Sequence, residues 1–175
     1  KDIANEMQKF CDDWWEEASK EFKYSYIDIY PNITNTITAH DVLVNSITAW
    51  DQSVIRKGIP YELGKFNVDF KKSGEYEITL RRWPKESNLN LRDGIDDFIP
   101  AKKYWDQQSS GKSMNIVSAY IKIGDKEYKV DLSDNLKTAS VNIDISSGKT
   151  SLEPGFILDN GDTSIAFYTD IDFLF

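Results

Sequence analysis

Two hydrophobic periods divide this chain. Over residues 2–22 the apolar positions Ile3, Met7, Phe10, Trp14, Ala18 and Phe22 recur every three or four residues, while Glu6, Lys9, Asp13, Glu17 and Lys20 occupy the other side. That spacing predicts one amphipathic helix, with Asp2 placed to cap its start. Neighbouring Trp14 and Trp15 point about 100° apart on such a helix. Trp14 is therefore expected to be buried and Trp15 to lie on the flank. Cys11 falls on the buried side and reads as a small core residue.

From residue 24 onward the period is two. Residues 24–29 alternate up to the Pro31-Asn32 turn, and residues 34–44 are β-branched with His40 and Asp41 inside them. Phe66, Val68 and Phe70 predict a strand that Ser73-Gly74 would fold into the next as a hairpin. Val117, Ala119, Ile121 and Ile123 predict another, turned by Gly124-Asp125 into Tyr128, Val130 and Leu132. Val141, Ile143 and Ile145 follow, and Ile165, Phe167, Thr169, Ile171 and Phe173 predict one long final strand. Short alternating strands parted by Gly, Asp and Asn turns predict an all-β fold, an antiparallel β-sandwich or jelly roll. The expected organisation is an N-terminal helix over residues 1–23, packed on the sandwich or on a preceding domain, and a sandwich over 24–175.

The densest signal lies in residues 74–86. Tyr76, Ile78 and Leu80 alternate with Glu75, Glu77 and Thr79, and Arg82 then takes an apolar-side position. A guanidinium there must find acceptors, because Arg does not shed its charge. Two readings stand side by side. In one, Arg82 braces a sheet edge and Trp83 closes the core. In the other, Arg81, Arg82 and Trp83 form an anion- or sugar-binding surface.

Trp50 and Gln52 form a second candidate pair. Two apart on a strand, they would share a face, offering a ring beside an amide that both donates and accepts; sugars are bound by such pairs, and a core Trp with a Gln at a strand edge is the plainer alternative. His40 and Asp41 lack the nucleophile a triad needs and the further ligands a metal needs, so His40 reads as structural or solvent-exposed. Residues 84–113 break the strand rhythm, with only scattered apolar anchors such as Leu89, Leu91, Ile95, Phe98 and Trp105. A connection of that length is commonly functional or mobile. Within it, Asp93-Gly94-Ile95-Asp96-Asp97 lacks EF-hand spacing and reads as a solvated acidic turn.

Composition bounds these candidates. The 175 residues are 40% hydrophobic and 13% aromatic, enough for one core. Asp and Glu outnumber Lys and Arg 29 to 21, a net charge of -8, which argues against a nucleic-acid partner. Any anion would need a local basic site. No apolar run reaches the length of a membrane span or forms a secretory leader. The chain opens on Lys1, as an excised fragment would. A single cysteine excludes an internal disulfide framework.

Residues 74–86 also carry a resemblance. The strand has the form G-x-Y-x-x-x-L-R-R-W-P-x-E, and it follows the Trp14-Trp15 pair, Thr38-Ala39-His40-Asp41, a W-x-Q-x-x-I-x-x-G run (Trp50, Gln52, Ile55, Gly58) and Gly64-Lys65-Phe66. Ile121-x-Ile123-Gly124 and a Gly148-Lys149-Thr150-Ser151-Leu152 turn come after it. In this order the chain, over nearly its whole length, resembles the C-terminal domain of bacterial arylsulfatase-like proteins. The resemblance implies an accessory domain that packs in cis on a sulfatase catalytic domain, shapes its substrate cleft, and works in a periplasmic or extracellular setting. The family's formylglycine motif, C/S-x-P-x-R, has no counterpart: Cys11 is followed by Asp12-Asp13-Trp14-Trp15. No catalytic residue, metal ligand or cofactor is therefore expected in this chain, and no sulfate-ester hydrolysis by it alone.

The candidate binding residues are thus Trp50, Gln52, Arg81, Arg82 and Trp83, with a sulfated or a neutral glycan as the ligand class. A stand-alone carbohydrate-binding sandwich is the alternative to the accessory domain. A protein partner joined through the helix and an open sheet edge is a third reading.

Overall fold

Strand residues of period two bury one face and leave the other to solvent, and here two such sheets close on each other. The computed structural model describes residues 2–43, 52–95, 110–132 and 136–175. Helix α1 (Asp2–Ala18) leads through a 3₁₀ segment, Ser19–Tyr24, into β1 (Ile27–Ile29) and β2 (Asn35–Thr38). The short helix α2 (Gln52–Arg56) precedes β3 (Phe66–Phe70) and β4 (Gly74–Arg81). After a 3₁₀ turn at Lys85–Ser87 come β5 (Ile116–Ile123), β6 (Lys126–Asp131), β7 (Ala139–Ile145), β8 (Gly148–Leu158), β9 (Thr163–Ile165) and β10 (Tyr168–Phe173).

The strands form two sheets, ordered β1-β3-β8-β5-β6, with β9 on β8, and β2-β10-β4-β7. All pairs are antiparallel except β1 with β3. With β1 and β9 set aside, the facing orders 3-8-5-6 and 2-10-4-7 are those of a jelly roll. Only β5 and β6 are joined as a hairpin within one sheet, through Gly124 at φ 55°; every other link in that set carries the chain across to the opposite sheet.

One apolar core fills the space between the sheets. Phe66, Val68 and Phe70 of β3 and Leu152 and Phe156 of β8 join Tyr76, Ile78 and Leu80 of β4 and Ile171 of β10, none more than 1% exposed. Tyr76 ties the sheets together. Its ring meets Phe70 and Phe173 edge-on at 5.0 and 5.1 Å, and its hydroxyl donates to the Lys72 carbonyl at 2.7 Å. An edge-on pair adds about 0.5–1.5 kcal/mol to the burial of the rings themselves.

The structure corrects several expectations. β3 and β4 do not form a hairpin, because Ser73-Gly74 carries the chain between sheets. The final strand is two: β9 pairs with β8, and after Phe167 β10 joins the other sheet. The Gly148–Leu152 stretch opens β8, the longest strand, whose pattern breaks alternation at Pro154, Gly155 and Phe156, all buried. The strands at residues 24–29 and 34–44 shrink to β1 and β2. The chain turns after Thr38, where Asp41 Oδ2 accepts from the Thr38 amide and hydroxyl, both at 3.0 Å.

The N-terminal helix departs furthest from expectation. It changes to 3₁₀ geometry at Ser19, and no residue of α1 is buried. Ile3, Met7, Phe10, Trp14 and Trp15 are 54–74% exposed, and Cys11 is exposed too. The amphipathic period is present, but the apolar stripe stands in solvent along with the polar face.

At the sheet edge, Lys71 Nζ bonds Asp28 Oδ1 at 2.7 Å and Asp69 Oδ2 at 2.8 Å, pinning β1 to the end of β3. The bond from Lys71 holds the Asp28 carboxyl below the usual carboxylate range, and the two carboxylates raise Lys71. An acid depressed in the folded chain stabilises it above the unfolded value, about 4, and that contribution vanishes as pH falls through the folded value. The melting temperature of the wild type should thus exceed that of Lys71→Met at pH 7. The gap should close as the pH drops below about 4, and a gap independent of pH in thermal melts would refute the ion-pair account.

Candidate functional site

Strands β2, β4 and β10 end together, and α2 lies beside those ends. A cavity of about 410 Å³ opens there, with Trp83, Pro84, Ile55, Ile95, Phe167 and Tyr168 supplying its apolar surface. Thr38, His40, Gln52, Arg56 and Ser87 supply polar groups around it. An apolar lining with a few converging polar groups is the usual make-up of a small-ligand site. Gln52 is the first residue of α2, and its Oε1 receives long contacts of 3.3 and 3.4 Å from Arg56 one turn later. This corrects the strand geometry expected for Trp50 and Gln52; Trp50 itself lies outside the described residues.

Arg81, the last residue of β4, and Arg82, just past it, divide by face. Arg82 continues the inward series of Tyr76, Ile78 and Leu80 and is 0% exposed. It donates from Nη1 to the Asp93 carbonyl at 3.0 Å, and from Nη2 to the carbonyls of Ile55 at 3.1 Å and Lys112 at 2.6 Å. Its Nε has no acceptor. Burial pulls this guanidinium down to about 10, against the pull of Asp93, so it stays cationic at neutral pH. Trp83 lies beside it, with the guanidinium carbon 4.5 Å from the ring, and donates from Nε1 to the same Asp93 carbonyl at 3.1 Å. Arg82 thus clamps α2, the 88–95 stretch and the 110–114 stretch to the end of β4. It has no surface to offer a ligand in this arrangement, and Trp83, 5% exposed, shows the cavity only part of its ring.

The clamp depends on close backbone approach. Gly111 pairs with Ile95 through two backbone bonds of 2.6 and 2.9 Å, and a Cβ on it would stand 2.9 Å from the Trp83 ring. Gly58, at φ 61°, lets the chain leave α2 against Lys112 and Ser113. The Asp93 carboxylate accepts from the Asn90 amide at 2.8 Å, closing a local turn; Asp96 and Asp97 of that acidic run, with Phe98 and Trp105, lie outside the described residues.

Arg81 faces outward, yet it too is buried, by Asp170 of β10. Nε and Nη2 grip that carboxylate at 2.7–3.1 Å, and Thr36 donates to Asp170 Oδ1 at 2.8 Å. The Arg81 guanidinium also lies 5.3 Å from the Tyr168 ring centre. This group lines a second depression of about 310 Å³, with Thr34, Thr36, Thr38 and the Pro84–Glu86 turn. His40 is exposed on the rim of the first cavity.

Of the predicted residues, the structure brings Gln52 and Trp83 to one cavity and Arg81 to its neighbour, and it withdraws Arg82 beneath both. Sequence reasoning missed Tyr168, Asp170, Thr36 and Arg56. Tyr168 and Asp170 stand between the buried positions of the final strand, so the alternation that located Phe167, Thr169 and Ile171 also places them together on the other face.

No family model matches the chain, and no curated protein matches it. Among solved structures it is similar to a CBM35 from Cellvibrio japonicus Abf62, with 12% identity and a TM-score of 0.35 over 65% of this chain and 67% of that one. It is also similar to a ruminal GH26 endo-beta-1,4-mannanase, with 15% identity and a TM-score of 0.38 over 84% of this chain and 27% of that one. Likeness of this order extends to no site residue.

Removing Arg82 should cost more than removing Arg81. Arg82→Ala takes this donor from the Ile55 and Lys112 carbonyls, leaves Asp93 with Trp83 alone, and opens a void, an expected loss of about 3–5 kcal/mol. Arg81→Ala leaves Asp170 beside a solvent-facing depression with Thr36 still bonded to it, an expected loss of about 1–3 kcal/mol. Urea unfolding of the two variants decides the matter, and equal losses would contradict the clamp.

Proposed function

We propose that this chain is an accessory β-sandwich that seats on a sulfatase catalytic domain through α1 and walls part of its substrate cleft with the end carrying Gln52 and Trp83. The observation that carries the proposal is the exposed stripe Ile3, Met7, Phe10, Trp14 and Trp15 on a regular 17-residue helix. A helix with no buried face draws nothing from tertiary packing, and packing is the source of most helix stability in proteins. Burying such side chains is worth roughly 1.5–3 kcal/mol each. The resemblance of the R-R-W-P strand and its flanking motifs names the occupant, an arylsulfatase-like catalytic domain in the same polypeptide. The formylglycine motif would then belong to that domain, and this chain would contribute binding surface only.

The end cavity favours a second reading, a sandwich that binds carbohydrate on its own. Tyr168 and part of the Trp83 ring offer surface for the C–H face of a sugar, the Gln52 amide both donates and accepts, and the Thr38 and Ser87 hydroxyls, which donate to Asp41 and Pro84, offer acceptor lone pairs.

The two readings part on α1. Expressed together with the coding sequence upstream of Lys1, the protein should show slower amide exchange along α1 than the isolated chain, and weaker iodide quenching of Trp14 and Trp15. Unchanged exchange and quenching would leave α1 unseated and sink the accessory reading. The isolated chain should show no metal-dependent turnover of a chromogenic aryl sulfate; activity that tracks it through purification would overturn the assignment of chemistry to another domain.

A further inference from the structure

The two depressions adjoin. Thr38, Pro84 and Tyr168 line both, so together they make a groove that leads from the sandwich end onto the outer face of the four-stranded sheet, with those three residues at the junction. Strand register orders that face into rows. Thr38, Tyr168 and Arg81 stand opposite one another across β2, β10 and β4, and Thr36, Asp170 and Thr79 form the next row.

We propose that this groove binds a neutral oligosaccharide of at least two rings, one in the end cavity and the next over the Arg81–Asp170 pair, with the Tyr168 ring between them. The proposal rests on the reading of the end cavity as a sugar site and extends it along the sheet.

Three features carry it. First, the donors and acceptors are fixed in place: Arg81 and Asp170 are 8% and 9% exposed and locked in a fork, so they meet a ligand without reordering. Second, the groups match hydroxyls, which need a donor and an acceptor close together: the Arg81 guanidinium and the Asp170 carboxylate lie side by side, and Thr34, Thr36 and Thr38, whose hydroxyl hydrogens go to Asp172, Asp170 and Asp41, keep lone pairs as further acceptors. Third, the formal charges in the second depression balance, Arg81 with Asp170 and Lys85 with Glu86. A depression of that composition gives a net charge no local counter-ion, which favours a neutral ring over a sulfated one at that position; Arg56 lies in the end cavity, away from it. Each depression is also near the lower end of the roughly 300–1,000 Å³ typical of small-ligand sites, so a chain longer than one ring needs both.

The test is calorimetry with cello- and manno-oligosaccharides of one to six units, beside sulfated carrageenan oligosaccharides of the same lengths. Affinity for a neutral tetramer should exceed that for its monosaccharide at least ten-fold. Tyr168→Ala should lower tetramer affinity at least ten-fold. Thr36→Val should cost the tetramer several-fold more than it costs the monosaccharide, with melting temperatures and amide NMR spectra checking that both variants keep the fold. A neutral sugar bound with no gain from length would overturn the second subsite and spare the end cavity. Tighter binding of the sulfated series would overturn the neutral assignment. No binding of any probe at millimolar concentration would overturn the groove and the sugar reading of the cavity together, while the seating of α1, read from exchange and quenching, would be untouched.

Discussion

A cation without surface, Arg82, organises the end of this sandwich. Its guanidinium meets only backbone carbonyls, of Ile55, Asp93 and Lys112, drawn from three separate segments. Burying a charge costs several kcal/mol unless acceptors surround it, and without the guanidinium the Ile55 and Lys112 carbonyls would lose this donor. Each side of the bargain makes the other tolerable. Segments with little secondary structure of their own, α2 and the stretches at 88–95 and 110–114, are thereby held in fixed relation to β4. Trp83 adds a second bond to the Asp93 carbonyl and roofs the clamp with its ring.

Adjacency on a strand gives the two arginines opposite work. Arg82 points in and fixes the architecture around the cavity, while Arg81 points out and, with Asp170, fixes the polar floor of the groove. The motif that reads as one cationic cluster is two devices back to back. The same geometry explains why W-x-Q-x-x-I-x-x-G and R-R-W-P occur together in one chain: the Ile55 carbonyl of the first accepts from Arg82 of the second, and Gln52 and Trp83 line one cavity. Changing Arg82 alone would leave the Ile55 carbonyl without this donor.

Much of the sandwich was legible because a strand with one buried face writes its period into the sequence. β3, β4, β5, β6 and β7 lie where Phe66–Phe70, Tyr76–Leu80, Ile121–Ile123, Tyr128–Val130 and Val141–Ile145 alternate, and the inward turn of Arg82 follows from the same count. What period cannot report is which strand a strand pairs with. A turn such as Ser73-Gly74 reads alike whether it closes a hairpin or crosses between sheets, so the jelly-roll links were invisible. β8 was missed because Pro154, Gly155 and Phe156 are all buried and no alternation survives there. Gln52 was not legible as helical, since a five-residue helix is too short to show a 3.6 period. The groove residues Tyr168, Asp170 and Thr36 were hidden because attention to apolar positions records only the inner face.

The helix marks where amphipathic pattern and burial part company. Period predicts that an apolar stripe will be covered; it does not say by what. In the sandwich each apolar face has its cover within the chain, and the core residues of β3, β4, β8 and β10 are dry. In α1 the stripe is as regular, yet its large side chains stand in solvent. The polar face of α1 is well made for water, with Lys9 bonded to Asp13 and Gln8 to Asp12 one turn apart, pairs worth only a few tenths of a kcal/mol each. Such pairs do not hold a 17-residue helix against the entropy of ordering it. Further stabilisation would have to come from the apolar side, which no described residue of the sandwich covers. Groove and helix thus stand apart: the groove is lined by residues held in place within the sandwich, and the helix keeps its apolar stripe in solvent.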